Sequence, residues 1–340
     1  MNAPVKFAAI GIDHRHIYGM AANIAAAGGE FVGWQTDGTP NTVDGFIERF
    51  ANVPRAASVE DLLNNPEINL ILLSGIPAER AAIAIRAMEA GKDVLSDKPG
   101  CTDFAQLAAL KACVEKTGRI WSIDFSERFE VPAATRAAEL VAEGAIGKVI
   151  QTVGLGPHRL NKATRPDWFF ERASYGGIIT DLASHQIDQF LFFTGVDEAE
   201  ITLAHVANYA NPETPGLQDF GEVALRAAGG AAGAHGYIRV DWYTPDALPS
   251  WGDGRLTILG TQGYIELRKY VDVGQNGTDH LVLVNGSRCE KIDASHAGLP
   301  FFGRLLNDIS NRTETAMTQR HAFTVCALSL KAQAMAEGRA

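Results

Sequence analysis

Residues 6–16 read K-F-A-A-I-G-I-D-H-R-H, a short apolar run that ends in a glycine and leads into a polar turn. Similar apolar runs recur through the first third of the chain and predict strands over 6–11, 31–35, 69–74, 93–96 and 119–124. Helical patterns separate them, over 17–27, 43–50, 59–64, 78–90 and 104–117. Strict alternation of strand and helix predicts right-handed crossovers and a parallel, doubly wound sheet.

The pattern changes after Asp124, where strands follow one another without intervening helices. We expect strands over 148–155, 200–209, 220–226, 234–243, 255–260, 264–270 and 280–284, and helices over 132–143, 302–311 and 322–336. Turn signals such as Gly229-Gly230 and T-Q-G at 261–263 stand between strands. Within 238–242, Ile, Val and Trp alternate with Arg and Asp, which is typical of an antiparallel sheet with one buried face.

The chain length and this change of pattern predict two domains. At roughly 100 to 200 residues per domain, 340 residues suffice for two, each with its own core. We place an α/β, doubly wound Rossmann domain at 1–124. An α+β domain with a large open, mainly antiparallel sheet follows at 125–340.

Composition excludes several classes of partner. Thirty Lys and Arg stand against 40 Asp and Glu, a net charge of −10, and no basic block is present. Binding to nucleic acid or to an anionic membrane surface is therefore not expected. The apolar run at 7–10 is too short for a secretory signal and no stretch is long enough to span a membrane, which predicts a cytoplasmic protein. The four cysteines show no paired spacing, so no disulfide framework and no cysteine metal site are expected.

In a doubly wound domain the turn after the first strand meets a dinucleotide pyrophosphate at a helix N-terminus. The G-x-G-x-x-G fingerprint requires glycine at 11, 13 and 16, and only Gly11 complies. A single glycine in a tight turn is the alternative interpretation. The predicted cofactor residues of this turn are Gly11, Ile12, Asp13, His14 and His16.

Asp13 occupies the place where the fingerprint allows close approach of the pyrophosphate. A carboxylate about 4 Å from an anion costs roughly 4 kcal/mol if nothing compensates it. We therefore expect Asp13 to pair with His14, Arg15 or His16 and to turn away from the phosphates.

The second strand ends at Thr36 and Asp37, where such domains present an acid to the adenosine ribose. A solvated loop aspartate is the alternative. No Lys or Arg follows within a few residues to bind a 2′-phosphate, which favours NAD over NADP without excluding NADP.

Two further segments carry residues suited to catalysis. The strand over 93–96 leads into D-K-P, which places Lys98 at the carboxyl edge of the sheet, although a surface lysine is the commoner alternative. The stretch G-G-x-x-x-D-x-x-x-H begins at Gly176, and its helical spacing puts Asp181, His185 and Asp188 on one face, apart from an apolar stripe. The alternative for an isolated helix is a solvated polar face.

Together, the D-K-P segment, the G-G-x-x-x-D-x-x-x-H helix and the strand-rich second half resemble the Gfo/Idh/MocA family of sugar and inositol dehydrogenases over essentially the whole chain. The resemblance implies that Lys98, Asp181 and His185 form the catalytic set, with Asp97 in place of the usual Glu. The family commonly shows T-P-N-x-x-H where this chain has I-P-A-E-R-A from Ile76, so two habitual cofactor contacts are missing. The implied cofactor set is completed by Ser74, Gly75, Ile76, Pro77, Asp97 and Lys98.

The resemblance also implies a substrate pocket. Arg128 and Trp168 resemble residues that line it in the family, and His158 follows the end of a predicted strand, from which its polar ring could reach a polyol. Packing or a satisfied loop contact is the alternative for each. The partner is then a small sugar, inositol or related polyol, and the outer face of the sheet predicts a homodimer or homotetramer.

Oxidation of a secondary alcohol needs a base and a positioned carbinol. We expect His185 to be the base, Asp181 to orient it or the substrate, and Lys98 to stabilise alkoxide charge. Alternatives are an NAD-recycling glycosidase or lyase that works through transient oxidation, and a ligand-sensing regulator on the same scaffold. An H-x-H metal site of a hydrolase, at His14 and His16, would need further ligands at later strand ends and a closed barrel. No metal is predicted.

Overall fold

The computed structural model describes residues 3–228, 233–275 and 277–339, which form two compact units. The first unit comprises Met1–Asp124, Pro166–Gly176 and Pro300–Phe323, and the second comprises Phe125–Arg165, Gly177–Leu299 and Thr324–Ala340. Two later segments of the chain therefore join the N-terminal residues. The turn signal at Gly229-Gly230 lies outside the described residues.

The first unit is built on a parallel sheet with the strand order β2-β1-β3-β4-β5. Its strands are β1 (Lys6–Ile10), β2 (Glu30–Gln35), β3 (Leu70–Leu73), β4 (Asp93–Asp97) and β5 (Trp121–Asp124). The helices between them are α1 (His16–Ala26), α2 (Val43–Arg49), α3 (Val59–Leu63), α4 (Pro77–Glu89) and α5 (Phe104–Thr117). This confirms the predicted doubly wound domain, because β3 and β4 are buried along their whole length, as strands covered on both faces must be.

Two of the helices begin where local chemistry requires it. Pro77 opens α4, where its missing N–H is not needed. Asp103 caps α5 by accepting a hydrogen bond from Gln106 N, and Gly118 closes that helix with φ +63°. These signals explain why both helices follow the predicted bounds closely.

The returning segments are fixed to the first unit by specific contacts. Trp121 of β5 stacks on Phe323 with ring centroids 5.3 Å apart. Arg312 donates a 2.7 Å hydrogen bond to the buried carboxylate of Asp93, which precedes it by 219 positions. Dividing the chain at a single position cannot place residues this far apart in sequence in the same unit.

The second unit contains an eight-stranded sheet with the order β13-β12-β11-β10-β6-β9-β8-β7. Its strands are β6 (Val149–Pro157), β7 (Ala199–Ala207), β8 (Phe220–Ala227), β9 (His235–Asp241), β10 (Arg255–Gly260), β11 (Gly263–Arg268), β12 (His280–Asn285) and β13 (Cys289–Asp293). All described neighbours pair antiparallel except β6 and β9, which are parallel. The predicted large, mainly antiparallel sheet is confirmed. Strand β13 was not predicted, because no residue of it is buried and it lacks an apolar alternation.

The remaining helices of the chain are α6 (Ser126–Phe129), α7 (Pro132–Ala142), α8 (Arg172–Tyr175), α9 (Ser184–Thr194), α10 (Pro300–Asn311) and α11 (Gln319–Ala336). Helix α7 packs its alanines and Leu140 on one face of the large sheet, against Leu256, Ile258 and Ile265. A π-helical turn, Ile179–Ala183, leads directly into α9. No helix in the described parts of the chain is long and apolar enough to cross a bilayer.

Candidate cofactor and active site

The turns after β1 and β3 approach each other closely, backbone to backbone. Gly11 has φ +68°, and a Cβ added there would lie 2.8 Å from Cα of Gly75. Gly11 N donates to Gln35 O at 2.9 Å, and Ser74 N donates to Gly11 O at 3.1 Å. Only glycine meets both the dihedral and the steric requirement, so Gly11 is fixed by geometry as well as by its place in the motif.

A cavity of about 370 Å³ opens at the carboxyl ends of β1, β2 and β3 within the first unit. Of the predicted cofactor residues, its lining includes Gly11, Asp13, Thr36, Asp37, Gly75 and Ile76. The others lie outside that lining: Ile12, His14, His16, Ser74, Pro77, Asp97 and Lys98. Glu79 and Arg80 of α4 also face the cavity. Its position is the crevice in which ligands of doubly wound sheets bind.

Thr36 holds the end of β2 against the first turn. Its Oγ1 accepts a hydrogen bond from Ile12 N at 3.3 Å, and the Thr36 side chain is buried whereas Asp37 is exposed. Arg55 donates to Thr36 O at 2.7 Å. A basic group therefore stands beside the predicted ribose site. The residues directly after Thr36 include no Lys or Arg, so the local sequence does not indicate it. The bridge between Trp34 and Arg55 brings it there.

The predicted pairing of Asp13 is wrong. Among the described residues Asp13 forms no ion pair with His14, Arg15 or His16, and its Oδ2 lies 3.9 Å from the position that a Cβ would take at Gly11. Burial, and then the neighbouring Glu79, raise the pKa of Asp13, while Arg80 acts in the opposite direction. The carboxyl group thus faces the cavity instead of turning away.

The two histidines of the turn bind Asp97 at the end of β4. His14 Nδ1 lies 2.8 Å from Asp97 Oδ2, and His16 Nδ1 lies 2.8 Å from Asp97 Oδ1. Burial alone would raise the pKa of Asp97, but His16, Arg80 and His14 outweigh it and hold that pKa well below its usual range. Burial and the charge of His16 lower the pKa of His14 to about 3. At neutral pH, a neutral His14 therefore donates Nδ1–H to an ionised Asp97.

Arg80 connects the ends of β3 and β4, a role that the sequence analysis did not assign. Its guanidinium donates to the carbonyl oxygens of Gly75, Asp97 and Lys98 at 2.7, 3.0 and 2.6 Å. It also lies 3.2 Å from Asp97 Oδ2 and is 2% exposed. The signal was available, because the period of α4 puts Arg80 on the same face as the buried Ala84 and Ala87.

Lys98 follows β4 directly and is 2% exposed, which excludes the surface-lysine alternative. The peptide bond to Pro99 is cis. The charge of Lys98 contributes to the lowered pKa of His14, so the ammonium group and the His14 imidazole are neighbours. The first unit therefore gathers two histidines, one carboxylate and two cations around the end of β4.

In the second unit, Asp181 and His185 lie on either side of the change from π-helix to α-helix. Asp181 belongs to the π-helical turn and is 8% exposed, and His185 lies in the first turn of α9 and is 1% exposed. The ring of Phe125 stands edge-on to His185, with centroids 6.2 Å apart. A π-helical turn is frequent at functional sites because it changes the direction of side chains within a helix.

The polar face of this helix is not solvated, contrary to the alternative interpretation. Asp188 is fully buried and accepts two hydrogen bonds of 2.6 Å from Arg128. The Arg128 guanidinium lies over the rings of Phe129 and Phe192, 4.2 Å from each centroid. This ion pair and this stacking explain the burial of Arg128 within the second unit. A contact between Arg128 and the substrate stays a prediction.

A second buried ion pair lies beside α9. Lys269 Nζ is 2.7 Å from Glu127 Oε2 and 3.0 Å from Gln189 Oε1, and Gln186 Nε2 donates to Glu127 Oε2 at 2.9 Å. Burial alone would raise the pKa of Glu127, but Lys269, His185 and His158 outweigh it and lower that pKa to about 2. Nothing in the local sequence signals this network, since Glu127, Lys269 and the two glutamines of α9 come from three separate parts of the chain.

The other two predicted substrate residues lie in different units. His158 Nδ1 is 3.0 Å from Gly156 O, and its ring lies 4.5 Å from Trp251 and 5.4 Å from Trp242. Trp168 belongs to the first unit, where it is half-buried next to Phe169. Trp251 is 42% exposed, so the aromatic surface around His158 is accessible.

A doubly wound unit with a crevice at its strand ends, joined to an α+β unit with a buried Asp and His on one helix, defines a class of dinucleotide-binding oxidoreductases. Family models match both parts: an oxidoreductase family with an NAD-binding Rossmann fold over residues 37–125, and a Gfo/Idh/MocA C-terminal domain over residues 134–266. The chain belongs to the Gfo/Idh/MocA family, as the sequence resemblance predicted.

Known proteins of similar sequence and structure agree with this assignment. An oxidoreductase structure from Erwinia carotovora atroseptica is 45% identical, covers 97% of this chain and 98% of its own, and superimposes with a TM-score of 0.93. Levoglucosan dehydrogenase of Pseudarthrobacter phenanthrenivorans is 24% identical over 73% of this chain and 63% of its own length. The chain thus spans less than two thirds of that relative. A levoglucosan dehydrogenase structure with NADH and levoglucosan shares the fold, with a TM-score of 0.80 at 17% identity over 99% of this chain and 98% of that one.

Proposed function

We propose that the protein is an NAD-dependent dehydrogenase that transfers a hydride between nicotinamide and a secondary alcohol of a sugar, inositol or related polyol. The observation that carries this proposal is the burial of Lys98, Asp181 and His185, the residues at the family's catalytic positions. Burying titratable groups is costly, and such groups concentrate at functional sites.

The residues of the first unit fit a dinucleotide. The close approach of Gly11 and Gly75 leaves the crevice free of side chains at that point, and Thr36 and Asp37 stand at the end of β2, where the adenosine ribose binds in this fold. The N-terminus of α1 would receive the pyrophosphate, because among the described side chains none caps it. When bound, NAD supplies the hydride acceptor.

The catalytic roles follow from the chemistry of the side chains. His185 would accept the hydroxyl proton, since imidazole exchanges protons near neutral pH. Asp181 would orient the imidazole or the substrate. Lys98 would stabilise the developing alkoxide, as a fixed cation does best in a site from which water is excluded.

A sugar or polyol is the substrate class that the relatives support. Levoglucosan is an anhydrosugar, and the relative named after it is a dehydrogenase. In the second unit, His158 offers a polar ring atom beside the accessible indole of Trp251, a combination suited to a ligand that has both hydroxyl groups and C–H faces. The homo-oligomer and the cytoplasmic location stay predictions.

The test is a panel of aldoses, anhydrosugars and inositols assayed for NADH formation. On a substrate so found, His185→Gln, Asp181→Asn and Lys98→Met should each lower kcat by at least roughly 100-fold, because general acid–base groups contribute about 10²- to 10⁴-fold. His235→Gln, at an exposed position, is the matched control and should leave kcat unchanged.

Each outcome decides between the proposal and its alternatives. Near wild-type kcat in His185→Gln would overturn the assignment of the base. Tightly bound NAD with substrate cleavage and no release of NADH would instead show transient oxidation by a glycosidase or lyase. Sugar binding without turnover in any variant or in the wild type would indicate a ligand-sensing regulator.

A further inference from the structure

Three side chains with metal-ligand chemistry meet at the end of β4 in the first unit. His14 and His16 come from the turn after β1, and Asp97 is the last residue of β4. Their ligand atoms all lie within 4.8 Å of one another. Each oxygen of Asp97 faces one imidazole nitrogen at 2.8 Å, so the carboxylate bridges the two rings.

The cluster is accessible to solvent on the side of the two histidines and buried on the side of Asp97. The side chain of Asp97 is fully buried, whereas those of His14 and His16 are 21% and 28% exposed. An ion can therefore reach the histidines from solvent, while the carboxylate forms the floor of the site. Partial exposure also leaves room for a water or a substrate oxygen as an additional ligand, as sites with few protein ligands require.

Contacts outside the cluster hold it in place. Ser74 Oγ lies 3.1 Å from Asp97 Oδ2 and 3.1 Å from His14 O, and His14 N donates to Ser74 O at 2.9 Å. Arg80 approaches the same oxygen of Asp97 at 3.2 Å. The turn and the carboxylate are thus positioned without an ion, which lowers the cost of organising the site.

We propose that His14, His16 and Asp97 form a binding site for a divalent first-row transition metal. Two imidazoles and one carboxylate form the ligand set that Zn²⁺, Co²⁺ and Fe²⁺ accept, whereas Mg²⁺ and Ca²⁺ require more oxygen ligands. A neutral imidazole can present either ring nitrogen, so the ion can replace the proton between ring and carboxylate or bind the opposite nitrogen. The neighbouring cations Arg80 and Lys98 oppose binding, which predicts a weaker site than one with uncompensated carboxylates.

On sequence alone, the H-x-H motif lacks a further ligand at a later strand end. Asp97 supplies that ligand. The five-stranded sheet is open, so the hydrolase barrel that the alternative required is not present in the described first unit. The proposal concerns metal binding alone and its test needs no dehydrogenase activity, although His14, His16 and Asp97 also belong to the predicted cofactor set.

The test uses the full chain, stripped of metal with a chelator and titrated with Co²⁺ and Zn²⁺. Equilibrium dialysis with elemental analysis gives the stoichiometry, and the visible absorption of Co²⁺ reports nitrogen and oxygen ligands at low coordination number. We expect a single ion per chain, with binding weakened by roughly 10- to 100-fold or more in His14→Gln and His16→Gln. His296→Gln, at an exposed position in the second unit, is the matched control and should bind as the wild type does.

A measurement without substitutions guards against misfolded variants. Histidine modification by diethylpyrocarbonate, read by peptide mass spectrometry, should slow at His14 and His16 when Zn²⁺ is present and stay constant at His296. Wild-type protein that binds no Co²⁺ or Zn²⁺, or that binds them equally well in His14→Gln, would overturn the proposal. Equal modification of His14 and His16 with and without Zn²⁺ would do so as well.

Discussion

Lys269 Nζ lies 2.7 Å from Glu127 Oε2, and these side chains, 142 positions apart, expose 0% and 1% of their surface. The pair connects the end of β11 to α6 and, through Gln189, to α9, the helix that carries His185. A buried pair is not by itself stabilising compared with apolar residues, but removal of one partner leaves an uncompensated charge. The surroundings of α9 therefore depend on Glu127 and Lys269, which are distant from it in sequence.

Removal of the lysine should destabilise the protein strongly. We expect Lys269→Met to lower the free energy of unfolding by about 3 to 5 kcal/mol, because Glu127 is left buried and charged. Denaturant titration followed by circular dichroism measures the change. Lys116→Met is the matched control, since Lys116 pairs with Glu89 in an exposed ion pair and its removal should change the free energy of unfolding far less. Equal losses of free energy of unfolding in the two variants would show that the buried pair contributes no more to stability than the exposed pair.

The same pair predicts a dependence of stability on pH. The pKa of Glu127 falls from 4.5 to about 2 on folding, so the stabilisation by its ionised form is complete above about pH 5 and is lost as the pH falls towards about 2. Burial opposes this shift, whereas Lys269, His185 and His158, in that order, produce it. A shift of this size links on the order of 3 kcal/mol of the free energy of unfolding to this group.

The double variant Glu127→Gln/Lys269→Met removes both charges and isolates the effect. As the pH is lowered from about 6 to about 3, the wild type should lose free energy of unfolding relative to the double variant. Curves that run parallel over this range would show that Glu127 does not titrate with a lowered pKa.

We expect cofactor binding to require Gly11 because of its close contact with Gly75 and not only because of its positive φ. Gly11→Ala places a Cβ 2.8 Å from Cα of Gly75 and forces the two turns apart, so we expect NAD affinity to fall at least roughly tenfold. Gly118→Ala carries the same penalty of about 1 kcal/mol for positive φ, here +63°, but a Cβ there meets nothing within 4 Å. Calorimetry on both variants separates the two causes. Equal NAD affinity in both would contradict a role of the close approach.

Asp37 and Arg55 should act against each other in the choice of cofactor. Asp37 would repel a 2′-phosphate, whereas Arg55, which holds Thr36 O, is the nearby cation that could accept one. We expect the wild type to prefer NAD and Asp37→Ser to raise NADP affinity by roughly 10-fold, since one like charge is worth about 1 kcal/mol or more.

The gain in NADP affinity should depend on Arg55. In Asp37→Ser/Arg55→Gln it should disappear, while NAD affinity changes little, because NAD has no 2′-phosphate. Fluorescence titration of the reduced cofactors measures both affinities. An undiminished gain in the double variant would place the 2′-phosphate away from Arg55.

Much of the fold follows from local pattern. Apolar runs such as the one at 70–73 and caps such as Asp103 and Gly118 depend on neighbouring residues alone, so strands and helices of the first unit were predicted within a few positions of their observed bounds. Strand β13 was missed because, with no buried residue, it has no apolar alternation to detect. Lys98 follows β4 directly, and Asp181 and His185 lie on the π-helical turn and the first turn of α9, which is where the local pattern puts them.

What the sequence could not determine is which charges meet. Asp13, beside two histidines and an arginine in sequence, pairs with none of them, because β4 presents Asp97 to those histidines. Arg55 reaches Thr36 through a bridge between chain segments, and Lys269 reaches Glu127 across 142 positions. Periodicity and capping are set by residues within a turn or two of each other, so the sequence alone determines the elements. Ion pairs and close approaches depend on which elements the fold brings together, so only the tertiary structure decides them.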